Sequence, residues 1–127
     1  MSKTALIVED EIFVALDLER ILEDAGYKVV AIAADRHEAM EAADQCQFAF
    51  VDVNLRDGCT GPSIALRMAR DHGVRVVFVT ANPSQIEQPS PALGFVRKPF
   101  SEASILAAAK LATSSAETPR ARVLEAI

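Results

Sequence analysis

Short runs of branched and apolar residues recur along the chain: TALIV at 4–8, KVVAIAA at 28–34, FAFVDV at 48–53, RVVFVTA at 75–81 and GFVRK at 94–98. The first four are continuous rather than alternating, which is the pattern of strands in a parallel sheet covered on both faces. Between them the period lengthens to that of helices. Residues 11–25 place Ile12, Ala15, Leu16, Leu22 and Ala25 near one face, and Gly26 stands where a glycine ends a helix. Asp35 followed by Glu38 has capping-box spacing at the start of a second helix. Pro62 opens a third helix that runs to about residue 71 and is closed by Gly73. A last helix begins near Ser101 and turns Ile105, Leu106 and Ala109 inward. Strand and helix alternate throughout, so the expected fold is α/β, a (βα)5 doubly wound sheet of five parallel strands.

Two segments break the rhythm. NPSQIEQPSPAL at 82–93 should hold the helix between the fourth and fifth strands, but Pro83, Pro89 and Pro91 leave room for little more than two turns. That fourth helix is expected to be short or mobile. Residues 113–127 are polar and contain Pro119, and read as a frayed tail on a domain spanning 1–112.

A chain of 127 residues can build one core without disulfides or structural metal. Half of its residues are hydrophobic, yet no run approaches the about 20 apolar residues that span a bilayer. The start, MSKTALIVEDE, meets its charges before any signal-peptide core could form, so the expected location is cytoplasmic, with no membrane partner. Cys46 and Cys59 lie at no metal-ligand spacing and His37 and His72 are isolated, which argues against zinc. A net charge of −5 without a dense basic run argues against nucleic acid as a partner.

The polar residues of interest fall at strand ends: Glu9 and Asp10 after the first strand, Asp52 in the third, Thr80 in the fourth and Lys98 in the fifth. In open α/β sheets these carboxyl ends form the binding crevice. Three carboxylates gathered there repel one another by about 4 kcal/mol per close pair at an effective dielectric near 20, so a cation or protons must compensate. An all-oxygen donor set suits Mg2+ better than zinc or copper. One carboxylate beside a divalent cation, with an ammonium and a hydroxyl opposite, meets the needs of in-line phosphoryl transfer. Asp52 would attack phosphorus, Lys98 and the cation would neutralise the equatorial oxygens, and Thr80 would donate a hydrogen bond to one of them.

Each of these motifs is common by itself. Taken in order, Glu9-Asp10, Asp52, Thr80-Ala81 and Lys98-Pro99-Phe100 at successive strand ends resemble the receiver domain of bacterial two-component response regulators, over residues 3–112. The resemblance implies a flavodoxin-like sheet of order 2-1-3-4-5 and a phosphoprotein of signal transduction. Asp52 would accept a phosphoryl group from the phosphohistidine of a sensor histidine kinase or histidine phosphotransferase. It further implies Mg2+ held by Asp10, Asp52 and the backbone carbonyl of Asn54, with Glu9 acting through water. Thr80 and Phe95 would be the switch residues, and the Lys98-Pro99 bond would be cis. The implied activity is not substrate turnover: the domain promotes its own aspartyl phosphorylation and dephosphorylation, and so changes its binding to an unnamed downstream protein or serves as relay or phosphate sink.

Some positions depart from the family pattern. Glu9 replaces the commoner aspartate, Arg56 stands where proline is frequent, and Phe95 lacks a hydroxyl. In the proline-rich 82–93 segment, and in DVNL and FVTANP, the chain is similar to a group of single-domain receivers that work with atypical histidine kinases in alphaproteobacteria. A phosphatase of the haloacid-dehalogenase type also uses a nucleophilic aspartate, but would want it after the first strand and an acid where Asn54 stands. A flavin module would need a phosphate cradle where the acidic run Glu9-Asp10-Glu11 lies. A receiver that no longer accepts phosphate and serves as a scaffold is the remaining alternative. Glu11 reads as a first-turn partner of the helix dipole rather than a ligand. Arg56 and Arg97 flank the site, and read as solvated charges ahead of a role in steering phosphorylated partners.

Overall fold

The computed structural model describes residues 3–87 and 90–114. Five strands, β1 (Thr4–Val8), β2 (Lys28–Ala33), β3 (Phe48–Asp52), β4 (Arg75–Thr80) and β5 (Gly94–Arg97), pair in parallel in the order β2-β1-β3-β4-β5. Four helices alternate with them: α1 (Ile12–Asp24), α2 (Arg36–Ala42), α3 (Gly61–His72) and α4 (Glu102–Thr113). The doubly wound sheet and its strand order are those expected.

The unbroken apolar strands explain the layering. Neighbouring residues on a strand point to opposite faces, so a continuous run supplies two cores at once. Ala5, Ile7, Phe48, Phe50, Val77 and Val79 join α1 and α4 in one core. Leu6, Val8, Ala49, Val51, Val76 and Phe78 join α2 and α3 in the other. Burying a side chain as large as Phe48, Phe50 or Phe78 contributes about 2–3 kcal/mol.

The helix ends follow local chemistry. Asp35 Oδ1 accepts the Glu38 N–H at 3.0 Å, and Glu38 Oε1 accepts the Ala34 N–H at 2.7 Å, one residue outside a strict capping box. Ser101 and Ser104 form a full box at α4, each hydroxyl accepting the other's backbone N–H at 3.0 and 3.1 Å. Gly73, at φ 66, closes α3 in a left-handed conformation that favours glycine. At the far end of α4, Arg75 Nη1 donates to the Ser114 carbonyl at 2.6 Å and ties that end to the start of β4.

Three expectations need adjustment. Ile12 and Leu16 are 55% and 45% exposed and Ala25 is exposed, while Ala15, Leu18, Ile21 and Leu22 face the core. Helix α1 carries two apolar stripes, and the one spaced at 15, 18 and 22 lies over the sheet. Between β4 and β5 the described residues form one 3-10 turn, Pro83–Gln85, and no α-helix; Ile86 has already turned extended at φ −84 and ψ 111. Finally, Thr113 still belongs to α4, and residues 115–127 of the expected tail lie outside the described residues.

Candidate functional site

Strands β1 and β3 are neighbours, yet the helices that follow them lie on opposite faces, which opens a crevice at their carboxyl ends. Glu9 and Asp10 leave β1 there and Asp52 ends β3, so that one oxygen from each lies within 4.8 Å of the others. Lys98, just past β5, reaches in from the side: Nζ stands 2.9 Å from Asp52 Oδ2, 3.0 Å from Glu9 Oε1 and 3.5 Å from Glu11 Oε1. Thr80 closes β4 beside them at 1% exposure. The Lys98-Pro99 bond is cis, as the resemblance implied.

Backbone donors orient the carboxylates. Asp52 Oδ1 accepts the Asn54 N–H and Glu9 Oε2 the Glu11 N–H, both at 3.1 Å. Burial pushes the Glu9 carboxyl up to about 7 against the opposing pull of the Glu11 N–H and Lys98. Burial would lower the Lys98 ammonium, but the contacts with Asp52 and Glu9 outweigh it and hold its pKa above the usual lysine range. Glu9 Oε1 is buried and, though in ion-pair range of Lys98, has no aligned hydrogen-bond donor. That spare oxygen, the neighbouring carboxylates and the exposed Asp10 fit a hard, oxygen-seeking divalent cation with positions left for water.

The remaining residues singled out from the sequence are spread around this centre. Thr80 Oγ1 accepts the Asn82 N–H at 3.0 Å, which leaves its own proton to donate. Asn54 is exposed, and its side-chain amide donates to Gln85 Oε1 at 2.7 Å. Phe95 is half-buried opposite Phe78, with the Arg97 guanidinium 5.8 Å from its ring centre. Arg56 is not at the carboxylate centre: it pairs with Asp35 at 2.7 Å. Glu11 lies closer to Lys98 than a simple dipole partner would. Burial pushes the Cys46 thiol up to about 11, out of the reactive range.

Two features escaped the sequence reading. Gly61 starts α3 pressed against β3: a Cβ there would collide with the Asp52 carbonyl oxygen and lie 2.7 Å from Val53 Cα. Only a glycine directly before Pro62 hinted at it. The second is an apolar hollow of about 750 Å3 beside Lys98, lined by Phe13, Leu16, Ala81, Pro99 and Phe100. Phe13 is 84% exposed at its rim.

A five-stranded doubly wound sheet with this carboxylate-lysine crevice defines a receiver domain. The family model described as "Response regulator receiver domain" matches residues 5–110, and the chain belongs to that family. Among curated proteins it is similar to the phyllosphere-induced regulator PhyR of Methylorubrum extorquens, 32% identical over 128 residues, covering 96% of this chain and 48% of PhyR. It is also similar to the transcriptional regulatory protein PdtaR of Mycobacterium tuberculosis, 31% identical over 117 residues, 88% of this chain and 57% of PdtaR. The chain thus spans about half the length of the curated relatives it matches. The solution structure of the Erythrobacter litoralis PhyR receiver domain superposes with a TM-score of 0.82 at 28% identity, over 92% of this chain and 95% of that one. Among the described residues no helix is long and apolar enough to cross a membrane.

Proposed function

We propose that residues 1–112 act as one phosphorylation switch in a phosphorelay, with Asp52 as phosphoacceptor. The observation that carries this reading is the bridge from Lys98 to two buried carboxylates, Asp52 and Glu9. Such a bridge fixes the nucleophile in a dry crevice and keeps an ammonium ready beside it. Glu9, Asp10, Asp52 and the Asn54 carbonyl are the groups that would hold Mg2+. When bound, the ion supplies positive charge against the carboxylates and the incoming phosphoryl oxygens.

In the step itself an Asp52 oxygen forms a bond to phosphorus as the bond from phosphorus to the donor histidine nitrogen breaks, and that nitrogen keeps the electron pair. Lys98 turns from the carboxylates to a phosphoryl oxygen. Thr80 donates its free proton to another, and the Asn82 backbone bonded to Thr80 moves with it. Thr80 and, across the β4–β5 pair, Phe95 are the switch residues, through which the surface made by 81–87 and 90–97 changes its fit to a downstream protein. The apolar hollow next to Lys98 suits the body of a phosphohistidine-bearing kinase or phosphotransferase, which must bring its imidazole to Asp52. The chain acts in the cytoplasm and contacts neither DNA nor lipid.

The test is intact-mass measurement after incubation with phosphoramidate and Mg2+. A single phosphoryl adduct, lost in Asp52→Asn and on chelation, is the expected result. No adduct in folded wild-type protein with Mg2+ binding confirmed would refute the proposal.

A further inference from the structure

The loop from β3 to α3 turns back at residues 55–58, where the Gly58 N–H donates to the Leu55 carbonyl at 2.9 Å and the Leu55 N–H to the Gly58 carbonyl at 2.8 Å. Arg56 and Asp57 are the two central residues of that turn. Both reach 21 residues back along the chain to the start of α2. Arg56 Nη2 and Nε donate to Asp35 Oδ2 at 2.7 and 3.2 Å, and the Arg36 N–H donates to Asp57 Oδ2 at 3.2 Å. Asp57 Oδ1 in turn accepts the Thr60 hydroxyl at 2.7 Å. A cation and a carboxylate on the turn therefore meet a carboxylate and an N–H on the helix, in crossed pairs. On the other side of the loop, Asn54 is tied to Gln85. What lies between these two anchors is the backbone that follows Asp52.

We propose that Arg56 is a positioning residue for the cation site: its clasp on Asp35 fixes the 53–58 loop and, through it, the Asn54 backbone beside Asp52. This deepens the metal reading given above and rests on it. The pair is open to solvent, with side chains 57% and 22% exposed, so its contribution to global stability is small. Its effect is on orientation, as for outer groups that aim metal ligands. Arg56 also occupies the second position of the turn, where the fixed φ of proline is well suited. A chain with arginine there obtains by a long-range ion pair the stiffness a proline would supply locally.

The sign of the effect separates the clasp from simple charge. Arg56 is a cation in the neighbourhood of a cation site, so by charge alone its removal tightens Mg2+ binding; by loss of the clasp it weakens it. Asp35 has a second role, since Oδ1 caps α2 through the Glu38 N–H, and asparagine preserves that cap. The experiment is calorimetric Mg2+ titration of wild type, Arg56→Ala, Asp35→Asn, their double variant and Arg56→Pro, with amide hydrogen exchange of the 53–58 loop measured without metal. Arg56→Ala and Asp35→Asn are each expected to weaken Mg2+ binding about three- to fivefold, the double variant no more than either single one. Arg56→Pro should recover at least half of the loss, and the alanine variant should exchange faster at Leu55 and Gly58. Unchanged or tighter Mg2+ binding in Arg56→Ala, or strictly additive losses in the double variant, would overturn the clasp while leaving the metal site intact. A wild type that does not bind Mg2+ would overturn both.

Discussion

Replacing Lys98 by methionine keeps most of the side-chain volume and removes only the charge. Its ammonium now stands 2.9 Å from Asp52 and 3.0 Å from Glu9, which are 7% and 2% exposed. Without it, two ionised carboxylates with oxygens within 4.8 Å would repel by about 3–4 kcal/mol at an effective dielectric near 20, which favours a Glu9 carboxyl that keeps its proton. Removing one partner of a buried ion pair costs about 3–5 kcal/mol, and that is the expected loss of stability near pH 8. The loss should depend on pH. Glu9 titrates at about 7 in the folded chain against 4.5 ordinarily. Its protonation therefore favours the folded state most fully below pH 4.5, and that contribution disappears as pH rises through 7. In the variant the carboxyl loses Lys98 and its pKa rises further, so the decline continues past the point where wild type levels off. If the variant carboxyl remains protonated to pH 8, the cost of the substitution grows by about 1.4 kcal/mol from pH 6 to pH 8. Urea unfolding of both proteins in chelator at the two pH values reads this directly. Saturating Mg2+ should narrow the gap, because the ion replaces the missing charge. A cost that is flat or falls toward pH 8 would refute the reasoning, as would a gap that Mg2+ leaves unchanged.

Other outcomes follow from the same geometry. If Glu9 helps to hold Mg2+ as proposed, the ion has to displace its proton, and apparent affinity should be about tenfold weaker at pH 6 than at pH 8 by calorimetry; a flat profile would mean that Glu9 stays outside the cation's reach. Gly61→Ala puts a methyl group into the backbone after Asp52, and urea unfolding should show a loss of about 3 kcal/mol, whereas a loss under about 0.5 would contradict the close approach. Ser101→Ala removes the cap of α4 and should cost about 1 kcal/mol, with Ser101→Asp recovering most of it.

The sheet was legible because each strand is long enough, apolar enough and bounded by helix caps that obey local rules, as at Asp35, Pro62 and Ser101. Most of the acidic and basic residues at the centre were legible too, since strand ends in a doubly wound sheet converge on one crevice. What remained hidden depends on distance in sequence. The periodicity of α1 offers two apolar stripes, and only packing on the sheet decides that Leu18 and Ile21 are inside and Ile12 and Leu16 outside. The clasp of Arg56 on Asp35 joins residues 21 apart, and neither looks unusual alone. Gly61 matters for a missing atom, which no pattern of side chains reveals. Prolines at 83, 89 and 91 did forecast a weakened helix, but not that the described residues between β4 and β5 would hold a single 3-10 turn.

The hydrogen bond from Arg75 to Ser114 has a geometric consequence for anything joined to this domain. Arg75 begins β4 and Thr80 ends it, so the chain leaves α4 at the pole of the sheet opposite the carboxylates, about 17 Å away along the strand. A partner domain fused at Ser114 would therefore start on the far side of the sheet from Asp52. The effective concentration of such a fused domain near Asp52 would depend on the length and stiffness of the tether. Arg75→Ala would loosen the anchor at Ser114 without touching the carboxylate centre.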